Sequence, residues 1–144
     1  MNFFIAGIVS ISLASVSVLH FLWAWGSTFP AHDQRSLAMT VAGFRGVTKM
    51  PPPLASLVVA IGLLGCAMVP LLLLFQQSSI GLPLKLIGFA IGSGFVFRGS
   101  LGFTPWWRRR TPEQPFATLD RKYYSPFCLL VGTGLIVLSA GVLS

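Results

Sequence analysis

Acidic side chains are nearly missing: among 144 residues there are only Asp33, Glu113 and Asp120. Charged residues of both signs make up 9% of the chain, against about 25% in an ordinary soluble domain. With 54% hydrophobic residues and a mean hydropathy of +0.80, this excludes a freely soluble globule. None of the three carboxylates lies inside a long apolar run, which argues against a proton-coupled pump or multidrug antiporter, since these rely on such a group. Histidine is equally scarce. His20 and His32 have no acidic residue within a span to join them, so no metal site is expected. The two cysteines, Cys66 and Cys128, form no C-x-x-C pair. They lie at membrane depths roughly 12 Å apart at 1.5 Å per residue, whereas a disulfide needs Cα atoms within about 7 Å. Both thiols read as small hydrophobes. No catalytic set is evident, and no cofactor is expected.

What the chain does have is length of apolar sequence. A helix needs about 20 mostly apolar residues to cross about 30 Å of hydrocarbon. Four stretches meet that length, residues 3–25, 54–75, 82–103 and 124–143. Backbone polar groups inside lipid must pair within their own segment, so each stretch is predicted helical. The expected fold is an all-α membrane protein, a single domain of four antiparallel transmembrane helices over residues 1–144. The first stretch lacks a positive leader and ends in the aromatic cluster Phe21-Leu22-Trp23-Ala24-Trp25, so it reads as a retained helix rather than a cleaved signal peptide.

The formal charge of +7 first suggests a basic partner, but nucleic acid requires a soluble basic face, and none is expected here. Loop one carries Arg35, Arg45 and Lys49. Loop three carries Arg108, Arg109, Arg110, Arg121 and Lys122, and the opposite side has only Lys85. By the positive-inside rule, loops one and three face the cytoplasm and both termini lie outside. The expected partners are a bilayer with anionic headgroups and other membrane-protein subunits.

Helices in lipid associate through small residues. Span one offers Ala6, Ser10, Ala14 and Ser17 on one face, and span two offers Ser56-x-x-x-Ala60 before an internal Pro70. Span three offers Gly88-x-x-x-Gly92, continuing to Gly99 and Gly102. These stripes read as intramolecular packing or as a seam between copies. Loop two, residues 76–81, reads as a tight polar turn. Loop one ends in Pro51-Pro52-Pro53, and its residues 36–44 form an expected interfacial helix. In loop three, Trp106, Trp107, Arg108, Arg109 and Arg110 read as an anchor contacting lipid headgroups.

One constellation remains. With alternating helix directions, His20, Arg98 and Cys128 sit at similar depth near the basic side. Arg98 is costly within a span unless paired, and Asp120 is the available carboxylate. His20, Trp23, Arg98, Asp120 and Tyr124 are therefore expected to form either a structural polar cap or a ligand-binding cluster.

Three motifs resemble one family: His20-x-x-Trp23-Ala-x-Gly26, Phe97-Arg98-Gly-x-x-Gly102-Phe103, and Phe116-Ala117 followed by Asp120, Tyr124-Ser125-Pro126 and Cys128. It is a group of small bacterial four-helix integral membrane proteins catalogued only as a domain of unknown function. The resemblance spans residues 20–135. It implies four helices, a polar cluster on the cytoplasmic side of a bacterial inner membrane, and no particular activity. Where the family pattern has an acidic residue after Arg98, Ser100 and Leu101 stand here, which leaves Asp120 as the remaining candidate partner. The functional expectation is a non-enzymatic protein, an accessory or structural subunit of a larger complex or a small binding module. The alternative is a membrane-embedded enzyme or carrier that binds a lipid- or quinone-like amphipath at a cytoplasmic-side pocket.

Overall fold

The computed structural model describes residues 2–75 and 81–141. The expected tight turn at loop two falls almost wholly outside the described residues. The described chain is helical, with α1 (Asn2–Ala24), α2 (Gln34–Val41), α3 (Pro53–Leu74), α4 (Gly81–Leu101), α5 (Pro105–Arg110), α6 (Phe116–Leu119) and α7 (Ser125–Ala140). A π-helical turn, Asp120–Tyr124, joins α6 to α7 without a break. Four segments are long and apolar enough to cross a membrane: α1, α3, α4 and the continuous stretch Phe116–Ala140.

The long helices form a four-cornered bundle. α1 packs on α3 and α7, and α4 packs on α7 and α3, so α1 and α4 stand at opposite corners. The α1–α3 seam uses the small-residue stripes. Ala6, Ser10, Ser17, Ser56 and Ala60 are buried, and the Ser17 hydroxyl donates across the seam to the Ala60 carbonyl at 2.7 Å. The glycine row of α4 meets α7 at backbone contact: a Cβ on Gly92 would lie 2.9 Å from the Gly132 oxygen, and one on Gly99 would lie 2.8 Å from the Ser125 oxygen. Within this chain, the small residues serve the bundle itself. A core of Val9, Leu13, Ala67, Val131 and Leu135 fills the middle, and Ile8, Ile11, Val58, Ile61, Leu86 and Leu130 point outward. Such a continuous apolar exterior suits hydrocarbon rather than water.

The last span begins at Phe116, eight residues ahead of the sequence expectation of 124. Asp120, Arg121 and Lys122 interrupt the apolar run, so composition places them in a loop. The helix continues because the Asp120 carboxylate is internally bonded and the two cations point out. Loop three is also more structured than an unfolded anchor. Thr104 caps α5 by accepting the Trp107 N–H at 3.3 Å, with Pro105 at the first helical position.

Loops one and three are fastened to each other at the same end of the bundle. The Arg45 amide donates to the Arg110 carbonyl at 3.2 Å, and the Glu113 amide donates to Gly43 at 3.3 Å. The Glu113 side chain accepts from the Gly46 amide at 2.9 Å. Gly43 has φ +63° and lies directly against the Phe116 ring, so a side chain there has neither the backbone nor the room.

α2 within loop one starts at Asp33, whose carboxylate accepts the Ser36 N–H at 2.7 Å. That bond holds the Asp33 carboxyl below its usual range. A lowered folded pKa stabilises the cap fully above the ordinary carboxylate value of about 3.9, and the contribution disappears as pH falls through the folded value. Hydrogen exchange at the Ser36 amide is therefore expected to accelerate, beyond the intrinsic trend, on acidification below about pH 4. Asp33→Ala should show the faster exchange at neutral pH. Equal Ser36 protection in the two proteins at neutral pH would remove the cap from the account of α2.

Candidate functional site

Two arrangements lie at the loop-bearing end of the bundle. The first is a cap around Asp120, which is 1% exposed. The π turn sets residue 120 under residue 125, because the Ser125 amide bonds back to the Asp120 carbonyl. The Ser125 hydroxyl then donates to Asp120 Oδ1 at 3.2 Å. Arg98 Nη2, from the last turn of α4, donates to the same oxygen at 2.8 Å. Trp107, brought over by α5, donates its indole N–H to Oδ2 at 3.0 Å. The Trp107 ring also lies 4.7 Å from the Arg98 guanidinium, in cation–π geometry. Three donors occupy most of the roughly four acceptor positions of a carboxylate. Gly102 makes the closure possible, since a Cβ there would collide with Ser125. Arg98 Nη1 is buried without a partner.

The sequence-level cluster thus divides in two. Arg98 and Asp120 are joined. Tyr124 stands beside them in sequence but turns to loop one, donating its hydroxyl to the Thr40 carbonyl at 3.1 Å and stacking on Phe116 at 5.7 Å. His20 and Trp23 belong to the opposite corner. Of the five residues read as headgroup contacts, Trp107 and Arg108 turn inward. Arg108 donates to the Gly102 carbonyl at 3.1 Å and also to that of Ala117. Trp106, Arg109 and Arg110 stay exposed, with Arg110 over the Trp106 ring at 4.6 Å. An open basic bowl of about 470 Å³ lies between Arg108, Thr118, Arg121 and Lys122.

The second arrangement is a cavity of about 150 Å³ between α1, the end of α2 and the start of α3. His20 and Trp23 form one wall, with ring centroids 4.6 Å apart and planes at 58°. Met50, Pro51, Ser56 and Val59 are among the residues that complete it. Trp23 is fixed by its indole N–H, which donates to the Phe29 carbonyl at 2.7 Å. His20 is fixed by Nδ1, 2.9 Å from the Val16 carbonyl one turn back. Among the described residues no three His, Cys, Asp or Glu side chains come together to hold a metal ion, and both cysteines are free.

Ser125 and Trp107 are the functional-looking residues that spacing alone did not single out for the cap. A usable signal for Trp107 was Thr104-Pro105, an N-cap followed by a first-turn proline. It starts a helix there and so rotates one of the two tryptophans inward.

A lipid-compatible exterior around four membrane-length helices, closed at one end by a bonded polar cap, defines the class: a four-span integral membrane bundle. The chain belongs to the family described as "Protein of unknown function (DUF3995)", whose model matches residues 13–135. No curated protein and no solved structure matches it.

Proposed function

We propose that the protein is a small, non-enzymatic binding module of the bacterial plasma membrane that takes part of an amphipathic molecule into the His20 cavity. The observation that carries this reading is the cavity itself, a mainly apolar recess walled by His20, whose Nε2 makes no hydrogen bond among the described residues. The non-enzymatic part is supported by the state of Asp120, most of whose acceptor positions are taken by Arg98, Trp107 and Ser125. Orientation rests on charge. Loops one and three and the start of the last span, at one end of the bundle, hold eight of the ten basic residues, so that end faces the cytoplasm and both termini lie outside. There the Arg121–Lys122 bowl and the exposed Trp106, Arg109 and Arg110 meet anionic headgroups. A second reading, an accessory subunit of a larger complex, is favoured by Gly62 and Gly65 on the outward face of α3. Each has open space where a Cβ would stand, so another helix can approach closely.

The test is native mass spectrometry of the 15.5 kDa chain extracted in native lipid discs. The expected result is a bound small molecule whose occupancy His20→Phe lowers. A bare chain would overturn the binding reading, and a stoichiometric larger protein would transfer the role to the α3 face. A reporter enzyme fused to the C-terminus is expected to be active only if it requires the outer side of the membrane.

A further inference from the structure

We infer that the His20 cavity selects a ring-bearing amphipath that donates an O–H, of the quinol or phenol class, over the corresponding carbonyl form. This rests on the reading of the cavity as a binding site and adds the chemistry of what enters it. A backbone carbonyl can only accept, so the 2.9 Å contact between Nδ1 and the Val16 oxygen places the ring proton on Nδ1. In the neutral ring, Nε2 then carries a lone pair and no proton. Among the described residues no donor bonds to it, and it is not among the buried orphaned atoms, so it stays accessible to a group from outside the chain. Its complement is a donor from a ligand, and a quinone carbonyl, which only accepts, offers none.

Size and lining specify the rest. A mainly apolar cavity of about 150 Å³ is large enough for a group the size of a benzene ring. The Trp23 indole gives an aromatic face, already locked by its bond to Phe29. The Met50 thioether adds a soft, polarisable contact that aromatic rings favour. The recess is open rather than sealed, with the Val59 side of α3 exposed. An alkyl tail therefore leaves along the apolar outer face of α3, where Val58 is exposed beside Val59.

The experiment uses the full chain in phosphatidylcholine discs with nitrogen-15-labelled histidine, titrated with a decyl-substituted hydroquinone, the matching benzoquinone and decylbenzene. The chain has two histidines, and His32, on the exposed loop, serves as the internal reference. The hydroquinone is expected to shift the His20 Nε2 resonance saturably, leave His32 unmoved, and bind about tenfold more tightly than the benzoquinone. That ratio corresponds to about 1.4 kcal/mol, the scale of one net hydrogen bond. His20→Phe, which keeps an aromatic wall, should equalise the two affinities. Benzoquinone binding as well as hydroquinone would overturn the inference while leaving the cavity a binding site, as would decylbenzene matching both. Failure of all three rings to move His20 would overturn the cavity reading as well. In a parallel titration with phosphatidylglycerol, a matching shift of His20 Nε2 would assign the donor to a lipid hydroxyl and overturn the ring.

Discussion

Arg98→Leu is expected to lower the unfolding free energy of the bundle by about 3–5 kcal/mol, the usual effect of removing one partner from a buried ion pair. Asp120 is 1% exposed and sits where water cannot replace the lost donor. After the substitution it keeps the Trp107 and Ser125 bonds but loses the Arg98 charge bonded to it. Asp120→Ala should cost less, about 1–3 kcal/mol. The Arg98 side chain is 32% exposed, so the stranded guanidinium can swing toward the headgroups. Arg98→Leu/Asp120→Ala should then be more stable than the sum of the single losses predicts, because the double variant strands no charge. Reversible unfolding in mixed micelles reads all three numbers. Additive losses, or an Arg98→Leu protein within 0.5 kcal/mol of wild type, the range of an uncoupled surface change, would reduce the pair to a surface contact.

The same pair shows what a sequence can and cannot disclose about such a bundle. Asp120 was identifiable as the Arg98 partner by scarcity alone, since a lone carboxylate flanks the span nearest an otherwise unpaired arginine. Register along each helix follows from 1.5 Å per residue. Azimuth does not. His20 and Arg98 are expected at one depth, yet α1 and α4 occupy opposite corners, so a shared depth does not by itself bring contact. Which helices are neighbours depends on the summed packing of all four faces, and no short motif encodes that. The π turn was also hidden: Asp-Arg-Lys-Tyr-Tyr has no local signature for an i→i+5 bond. Its charges suggested a loop, whereas the turn uses one of them to bind α4 and α5. Trp107 was misdirected for a related reason, since an interfacial tryptophan and a tryptophan that solvates a buried carboxylate are compositionally identical.

Gly132→Val is the second large effect expected, a loss of about 3 kcal/mol, toward the upper end of ordinary overpacking costs. A Cβ at Gly132 would stand 2.6 Å from the Gly92 oxygen, 2.7 Å from the Val96 nitrogen and 2.8 Å from Val96 Cγ2. Two of those three atoms are backbone, so no rotamer change relieves the clash and α4 must move away from α7. Separation also reaches the cap, because Arg98 rides on α4 and Asp120 precedes α7. Their 2.8 Å bond leaves hydrogen-bonding range after a displacement of about 1 Å. Gly94→Ala provides the contrast on α4 itself. Gly94 has open space at its Cβ position, so alanine adds helix propensity without a collision and should stabilise by up to about 1 kcal/mol. Opposite signs for the two substitutions would locate the stabilising function of glycine at the α4–α7 seam. Similar losses for both would instead mean that glycine matters to these helices through backbone freedom, and close approach would lose its place as the force holding α4 to α7.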